Sequence, residues 1–244
     1  MEQKLFTKNF TLLVLGQASS LFGNYILRLA LSMYVLEVTG SAAVFAGILS
    51  IATIPTILLS PIGGILADRA DRRNIMVALD TLTGIFVLCA AVFLSGDNAV
   101  VVISVLLVIL SVLGAFETPT VQACIPQMLA GDNIIKGNAV VNQVASISYL
   151  IAPLLGGILY SAVGLKPVMY ASVVCFFVTA LFECFIKLGY QAREFQGNVL
   201  SMVKNDFSSS IRFIMKEQPT IMKMLLLAAF SRFFVMGVTL VGLP

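Results

Sequence analysis

The chain has 244 residues, of which 59% are hydrophobic and 11% are charged, with a net charge of +3. A soluble domain carries roughly 25% charged residues, so this composition excludes a soluble globular protein and indicates an integral membrane protein. The basic residues form no aromatic-interleaved pattern, which argues against a nucleic-acid partner. The sequence contains no His, the commonest metal ligand, and no nucleophile or phosphate-loop motif. We therefore expect no metal, no cofactor and no enzymatic activity.

Long apolar runs separated by short polar turns follow the chain from its first span onward. At ~1.5 Å of rise per residue, about 20 residues cross a bilayer as a helix, so each run predicts a membrane-spanning α-helix. The predicted spans are residues 11–36, 43–66, 75–94, 99–118, 138–160, 167–188 and 221–244. Residues 119–137 are predicted to form a polar, proline-marked connection. The chain is thus predicted to be an all-α integral membrane protein, with a six-helix bundle over 1–188, a cytoplasmic linker over 189–220 and a seventh membrane helix over 221–244.

A polar stripe runs along the first predicted span, where residues three or four positions apart share one helix face. It consists of Gln17, Ser20, Asn24, Arg28 and Ser32. Polar groups are costly in lipid, so this stripe is expected to face a cavity or other helices. Arg28 then either meets a substrate or a carboxylate in a cavity, or it forms a structural ion pair or snorkels toward the membrane surface.

The fifth predicted span carries a similar stripe. Asn138, Asn142, Ser146 and Tyr149 follow one helix face, with Gln143 adjacent. We expect the stripes of spans one and five to line a shared polar path. The same pattern also fits ordinary packing of small residues.

The densest charge cluster lies between the second and third spans, with five charged residues at positions 68–73. Such a cluster between two spanning segments indicates a short loop held at a membrane surface. Gly64 precedes it and is expected to permit close helix approach. From the residues alone, the cluster is expected to anchor the topology through positive charge at that surface. Its charged residues include Asp68, Arg69, Arg72 and Arg73.

Three carboxylates fall within the membrane-spanning region, at Asp80, Glu117 and Glu183. Since the chain lacks His, proton coupling would have to use Asp or Glu, and Glu117 is the best candidate for protonation. Glu183 precedes Lys187 by four residues, the favourable order for an ion pair on a helix. A structural pair is therefore expected at Glu183, with coupling as the alternative. The proton-motive force is the expected energy source.

Residues 197–216 show the period of an amphipathic helix, with apolar residues at spacings of three and four. Such a helix is expected to lie along the inner membrane surface and to link two membrane halves. A partly ordered linker is the alternative. The apolar positions are Leu200, Val203, Phe207, Ile211 and Ile214.

A short repeat relates the second and fifth spans. Residues 61–66 read PIGGIL and residues 153–159 read PLLGGIL, which match except for one inserted residue. The offset is three helices, so the two copies end on opposite sides of the membrane. Three helices related to the next three in inverted orientation is the internal symmetry of secondary transporters. Chance recurrence is the alternative, because Gly-Gly pairs are frequent in membrane helices.

The distribution of Lys and Arg predicts a cytoplasmic N-terminus in a cell membrane. In that orientation the outside turns hold only Lys166, and Arg28 and Arg232 lie within spans. The twelve remaining basic residues fall on the inside, at Lys4, Lys8, Arg69, Arg72, Arg73, Lys136, Lys187, Arg193, Lys204, Arg212, Lys216 and Lys223.

These features together resemble the major facilitator superfamily. The loop between helices two and three of that family has the form G-x-L-a-D-[RK]-x-G-[RK]-[RK]. Asp71 stands here in place of the second Gly, adding a negative charge at the start of helix three, where it is favourable. The positions that fit are Gly64, Leu66, Asp68, Arg69, Arg72 and Arg73.

The antiporter motif of helix five in this family reads roughly G-x(3)-G-P-x(2)-G-G. The first two glycines are here Ser and Ala, which are still small. Residues 117–126 and the amphipathic linker resemble the macrolide-efflux and enterobactin-exporter branch. The helix-five motif positions are Ser148, Ala152, Pro153, Gly156 and Gly157.

The resemblance implies an alternating-access transporter, in which Asp68 engages the second half and the arginines hold the inner end closed. It covers about half of a usual family member, so the chain is expected to be truncated, with a missing C-terminal half or a second copy as partner. The span at 99–118 lacks the Arg that the family often carries there. The expected function is proton-coupled efflux of a small amphipathic, macrolide-like drug across the lipid bilayer. A siderophore, metabolite or lipid transporter and a non-transporting membrane interaction protein are the alternatives.

Overall fold

The computed structural model describes residues 4–189, 208–209 and 212–241, and these residues form helices and no strand. Six helices are long and apolar enough to cross a membrane, so the predicted all-α membrane fold is confirmed. They are α1 (Lys8–Thr39), α2 (Ala42–Arg69), α3 (Arg72–Phe93), α4 (Ala99–Met128), α5 (Asp132–Val163) and α6 (Leu165–Cys184).

The chain divides into two compact units, residues 1–193 and 194–244. The second unit contains a π-helix, Phe213–Glu217, and a helix α7, Pro219–Val241, which covers most of the predicted seventh apolar segment. The amphipathic helix predicted over 197–216 lies largely outside the described residues, and the linker bounds 189–220 stay a prediction.

Short polar caps explain where the helices of the bundle begin. The Thr7 and Ser41 hydroxyls accept hydrogen bonds from Phe10 N and Val44 N, both at 3.3 Å. Asp71 caps α3 by accepting from Arg73 N at 3.1 Å. A capping side chain satisfies main-chain N–H groups that have no partner inside the helix. The acidic substitution seen in the family motif therefore serves as a helix cap.

The predicted connection over 119–137 is wrong, because α4 continues to Met128 and α5 begins at Asp132. Pro119 and Pro126 lie inside α4. A proline in a helix removes one hydrogen bond and is tolerated where packing compensates. Here Val121 and Ile125 between the prolines are buried in an apolar cluster with Phe10. Tertiary packing thus extends the helix through both prolines.

The packing of the six helices repeats after three helices. Helix α1 packs against α5 and α6, and α4 packs correspondingly against α2 and α3, while α3 and α6 pack against each other. Exchanging α1–α3 with α4–α6 therefore reproduces the pattern. This is the arrangement that the predicted inverted repeat requires.

The repeated Gly-Gly pairs make equivalent close approaches in the two halves of this repeat. A β-carbon at Gly63 would lie 2.5 Å from the Ala115 main-chain oxygen on α4. A β-carbon at Gly156 would lie 3.2 Å from the Ile26 Cα on α1. The first glycine of each pair is thus the contact residue, and the expectation that Gly64 makes the close approach is wrong for this bundle, since a β-carbon there would meet nothing within 4 Å.

Two apolar clusters fill the bundle, one toward each end. One contains Phe10 of α1 and Met76 of α3. The other contains Leu27 and Leu31 of α1, together with residues of α3, α4 and α6. Between the two clusters, each of α1, α3, α4 and α6 carries polar side chains. The core therefore has a polar layer with apolar packing above and below it.

The entry and exit of the chain are joined at one end of the bundle. Asn9 Nδ2 donates to the Lys187 main-chain oxygen at 2.7 Å, and Lys187 N donates to Asn9 Oδ1 at 3.2 Å. These paired hydrogen bonds hold the segment that leaves α6 beside the start of α1.

Candidate functional site

A cavity of about 450 Å³ lies among α1, α2, α4 and α5. It has the size of a small-molecule site. Five of the predicted site residues line it, namely Gln17, Asn24, Arg28, Glu117 and Asn142. Residues from the α1 and α5 stripes therefore line one cavity in this bundle. The other lining residues are Leu21, Tyr25, Thr56, Ser111, Gly114, Thr118, Val121, Gln122, Ile125, Asn138, Val141 and Ala145.

Arg28 is the only Lys or Arg among the residues that line this cavity. Its Nε donates to Asn24 Oδ1 at 2.6 Å, and Ser32 Oγ donates to its main-chain oxygen at 2.6 Å. No described carboxylate lies within 4.0 Å of its guanidinium, so the expected ion-pair alternative is not formed here. The remaining guanidinium N–H groups are available to a ligand in the cavity.

Two predicted cavity residues on α5 lie elsewhere. Gln143 is exposed and does not line the cavity, because it follows Asn142 by one position and so points about 100° around the helix. Tyr149 is 64% exposed. Its ring meets the Tyr25 ring edge-on, with centroids 5.7 Å apart, so it touches the cavity wall through Tyr25.

Sequence reasoning missed the contributions of α2 and of the second half of α4. Thr56, Ser111, Thr118 and Gln122 all line the cavity. Thr56 and Ser111 are each a single polar residue in an apolar run, while Thr118 and Gln122 fall in or beside the segment predicted to be a connection. For the three residues on α4, their spacing along one continuous helix is the signal that could have found them.

Beside the cavity, four helices bring carboxyl and hydroxyl groups together in what we call the buried polar layer, formed by Ser20, Asp80, Glu117 and Glu183. Ser20 Oγ lies 2.9 Å from Asp80 Oδ1 and 3.3 Å from Glu117 Oε1. Asp80 and Glu183 are each 1% exposed and interact electrostatically with each other and with Glu117. Glu117 thus belongs both to the cavity wall and to this layer.

Several polar atoms at this layer have no hydrogen-bond partner in the structure. They are Asp80 Oδ2, Glu183 Oε2 and, on the adjacent turn of α1, Gln17 Nε2. A buried polar atom without a partner costs about 1–3 kcal/mol. The layer therefore has capacity for a further proton or hydrogen bond.

The expected pair between Glu183 and Lys187 is wrong. Helix α6 ends at Cys184, so Lys187 is not on the next turn of the helix, and its main chain binds Asn9 instead. Glu183 faces Asp80 and Glu117. The sequence suggests only partners on the same helix, whereas the tertiary packing supplies partners from α3 and α4.

In the charge cluster after α2, Arg72 joins two helices. Its Nε donates to the Ala67 main-chain oxygen at 2.6 Å and its Nη1 to that of Ala123 at 2.9 Å. Its Nη2 lies 3.4 Å from Asp68 Oδ1. Arg72 therefore caps the end of α2 and ties it to α4.

Of the other charged residues in this cluster, one joins two helices and another is exposed at the surface. Arg73 Nη2 donates to the Cys184 main-chain oxygen and so ties α3 to the end of α6. The Asp68 side chain is 71% exposed, and Arg69 closes α2. The predicted engagement of Asp68 with a second half is not tested by these contacts and stays a prediction.

The helix-five motif packs one small-residue face on α1. Ser148, Ala152 and Gly156 are buried at spacings of four, and Gly156 makes the close approach to Ile26. Pro153 lies inside α5 and removes the donor for the Tyr149 carbonyl. A β-carbon at Gly157 would meet only a Leu29 methyl group at 3.8 Å. These three motif positions therefore serve small-residue packing of α5 on α1.

Six membrane-length helices in two inverted triplets, with a polar cavity among α1, α2, α4 and α5, form an inverted-repeat bundle of the kind from which many transporter folds are built. The chain belongs to the Major Facilitator Superfamily, whose family model matches residues 13–244. The predicted family and the transporter rather than enzyme class are thereby confirmed.

Individual relatives carry transporter names. Macrolide efflux protein A of Streptococcus pyogenes is 30% identical over 162 residues, covering 65% of this chain and 40% of that protein. The staphyloferrin A transporter of Staphylococcus aureus is 27% identical over 166 residues, covering 65% of this chain and 41% of that protein. The chain spans about half the length of the curated relatives it matches.

A solved structure shows the same fold. The crystal structure of a bacterial homologue of the iron transporter ferroportin in an outward-facing state matches with a TM-score of 0.58 at 18% identity, covering 80% of this chain and 52% of that chain. The multi-pass membrane location rests on the six apolar helices and on the family match.

Proposed function

We propose that the six-helix bundle is one half of a proton-coupled secondary transporter that exports small amphipathic compounds by alternating access. The observation that supports this proposal most directly is the cavity among α1, α2, α4 and α5, which combines Arg28 and Glu117 with an apolar wall. A second bundle, from further chain or from a second copy, would face this cavity and complete the site. The matches over about half of each relative's length support a partner bundle.

The composition of the cavity wall favours an amphipathic solute. Leu21, Ile125 and Val141 offer apolar contact, while the amides of Asn24 and Asn142 offer hydrogen bonds. Ligand sites of this kind bind through apolar area and gain orientation from a few polar groups. The similarity to macrolide efflux protein A supports a drug-like compound of this chemistry.

We place the N-terminus in the cytoplasm. The α2–α3 turn with Arg69, Arg72 and Arg73 lies at the same end of the bundle as Asn9 and Lys187, since Arg73 contacts the end of α6. The α3–α4 turn at the opposite end carries Asp97 but no Lys or Arg. Basic residues favour the cytoplasmic side. Membrane-impermeant thiol labelling of Asp97→Cys and Lys136→Cys, in a background without native cysteines, tests this; labelling of Lys136→Cys from outside intact cells would reverse the orientation.

Asp68 is the gate residue in this proposal, and Arg72 is its support. Arg72 is fixed to Ala67 and Ala123, so it holds Asp68 at the edge of the bundle. The exposed Asp68 carboxylate is then presented to basic groups or to a helix N-terminus of the second bundle.

A second candidate function is export of an anionic siderophore or metabolite. Arg28 favours it, because its guanidinium lines the cavity with no described carboxylate within 4.0 Å. An anionic group would form charge-assisted hydrogen bonds there. The similarity to the staphyloferrin A transporter supports this solute class.

The test is transport in proteoliposomes that contain the chain. A radiolabelled macrolide and a radiolabelled citrate-based siderophore are followed with a pH gradient imposed and then collapsed by an uncoupler. Gradient-dependent movement of the macrolide supports the first proposal, and movement of the siderophore alone supports the second. If neither solute moves while a full-length relative moves one of them, the chain by itself is a non-transporting membrane protein.

A further inference from the structure

We propose that Ser20 exchanges one proton between Glu117 in the cavity wall and the buried Asp80, so that the proton is stored behind the cavity rather than in it. This inference deepens the proposed proton coupling and rests on it. It assigns the stored proton to Asp80 and the transfer to Ser20, neither of which is on the cavity wall.

The hydrogen-bond geometry carries the proposal. A serine hydroxyl has one hydrogen to donate and can also accept. Ser20 Oγ lies within hydrogen-bond distance of two carboxyl oxygens, Asp80 Oδ1 at 2.9 Å and Glu117 Oε1 at 3.3 Å. It can donate to only one of them. When Ser20 donates to one carboxylate, its second contact is a hydrogen bond only if the second carboxyl group is protonated and donates to Ser20 Oγ.

The transfer step is balanced. Glu117, protonated from the cavity, donates its proton to Ser20 Oγ while the Ser20 hydroxyl proton passes to Asp80 Oδ1. One O–H bond breaks and one forms at Ser20, so the serine is unchanged. Glu117 becomes a carboxylate and Asp80 a carboxylic acid. The reverse step returns the proton to the cavity.

The charges around the layer favour retention of at least one proton. On α6, Glu183 interacts electrostatically with Asp80 and Glu117, and the exposed Cys184 interacts with Glu183. On α1, Arg28 and Tyr25 interact electrostatically with Glu117. If Asp80, Glu117 and Glu183 were all ionised, three carboxylates would share a buried site with one nearby guanidinium, that of Arg28. This guanidinium is not within 4.0 Å of any described carboxylate. Uncompensated buried charges are costly, so such clusters hold protons in common.

The surroundings direct the proton toward the cavity. The layer lies between the two apolar clusters described above, and Asp80 is almost fully buried. Gln17 Nε2, buried and without a partner, lies in the cavity wall beside Glu117 and can donate to it when it is ionised.

The test compares two neighbouring serines in the full chain reconstituted in lipid. Ser20→Ala removes the bridge, whereas Ser19→Ala removes a hydroxyl that donates to the Cys175 main-chain oxygen at 3.0 Å and touches no carboxyl. Infrared difference spectra between acidic and alkaline buffer record the protonated carboxyl band. We expect Ser20→Ala to shift the band and its titration midpoint, Ser19→Ala to leave both unchanged, and Asp80→Asn to remove the component at Asp80. Equal spectra for the two serine variants, or an unchanged band in Asp80→Asn, would overturn the proposal.

A conservative variant and a transport readout separate this proposal from the proposed function. Ser20→Thr keeps the hydroxyl and is expected to retain the wild-type band, which covers the case in which Ser20→Ala does not fold. If the wild-type chain transports, Ser20→Ala should slow pH-driven movement of the macrolide by about 10²-fold and leave its counterflow exchange unchanged. Equal losses of both activities would contradict a proton-transfer role. If the wild type moves no solute, the chain alone does not transport, and the infrared comparison still tests the proton exchange separately.

Discussion

Gly63 packs directly against the main-chain carbonyl of Ala115, so closely that a β-carbon would lie 2.5 Å from that oxygen. The Ala115 carbonyl lacks its usual helical donor, because residue 119 is a proline. The glycine and the proline are therefore two parts of one contact between α2 and α4.

This contact predicts different outcomes for two adjacent substitutions. Gly63→Ala should destabilise the bundle by about 1–3 kcal/mol, because the methyl group forces the two backbones apart. Gly64→Ala should leave stability unchanged, since its β-carbon would meet nothing within 4 Å in this bundle. Thermal unfolding in detergent, followed by thiol-reactive dye fluorescence, measures both. Equal melting temperatures would contradict the assignment of the contact to Gly63.

Substitutions at Arg72 and Asp68 should have different effects: the first should lower the stability of the bundle, and the second should lower the transport rate. Arg72→Lys cannot reach both Ala67 and Ala123 with one ammonium group, so we expect a loss of about 2 kcal/mol of stability. Asp68→Asn disrupts only an exposed contact at 3.4 Å, which is worth under about 1 kcal/mol. It should nevertheless lower the transport rate in the complete transporter. Unchanged transport in Asp68→Asn would remove the gate role from this residue.

The cavity predicts which polar residues of the α1 and α5 stripes affect solute recognition. Arg28→Gln should raise KM for a transported solute by about tenfold, the loss of one charge-assisted hydrogen bond. Asn24→Ala should act in the same direction, because Asn24 holds the Arg28 guanidinium at 2.6 Å. Gln143→Ala is the matched control and should leave KM unchanged. Initial transport rates over a range of solute concentrations give these values, and a raised KM in Gln143→Ala would contradict the cavity assignment.

At the other end of the bundle, one hydrogen bond ties α5 to α1. Tyr160 Oη donates to Glu37 Oε2 at 2.5 Å. Tyr160→Phe should lose about 1 kcal/mol of stability. Tyr170→Phe, at an exposed tyrosine on α6 with no hydrogen bond among the described residues, should lose none. Urea titration of the two purified variants in mixed micelles compares them, and coincident unfolding midpoints would show that the tie is not stabilising.

The helical fold follows from the sequence because spans of this hydropathy have few alternatives in a membrane. The inverted repeat is also visible in the sequence, through the two Gly-Gly pairs. Whether a helix ends at a proline cannot be predicted from the neighbouring sequence alone. Here α4 continues past Pro119 because Val121 and Ile125 are buried in the bundle.

The cavity could be predicted in part and the buried polar layer could not. Asn24, Arg28 and Asn142 lie on stripes whose period identifies them. Ser20 lies on the same stripe, but nothing in the sequence shows that it contacts Asp80. The two residues are 60 positions apart in the chain, and their contact depends on how α1 and α3 pack within the bundle.

The paired hydrogen bonds between Asn9 and Lys187 bring the two ends of the bundle to one point. Because six helices cross the membrane, both ends also lie on the same side of it. A short bridge could therefore join them, and new ends could be opened in the turn between α3 and α4. The permuted chain would run through α4–α6 before α1–α3, which exchanges the order of the two inverted triplets while every helix keeps its place and its direction.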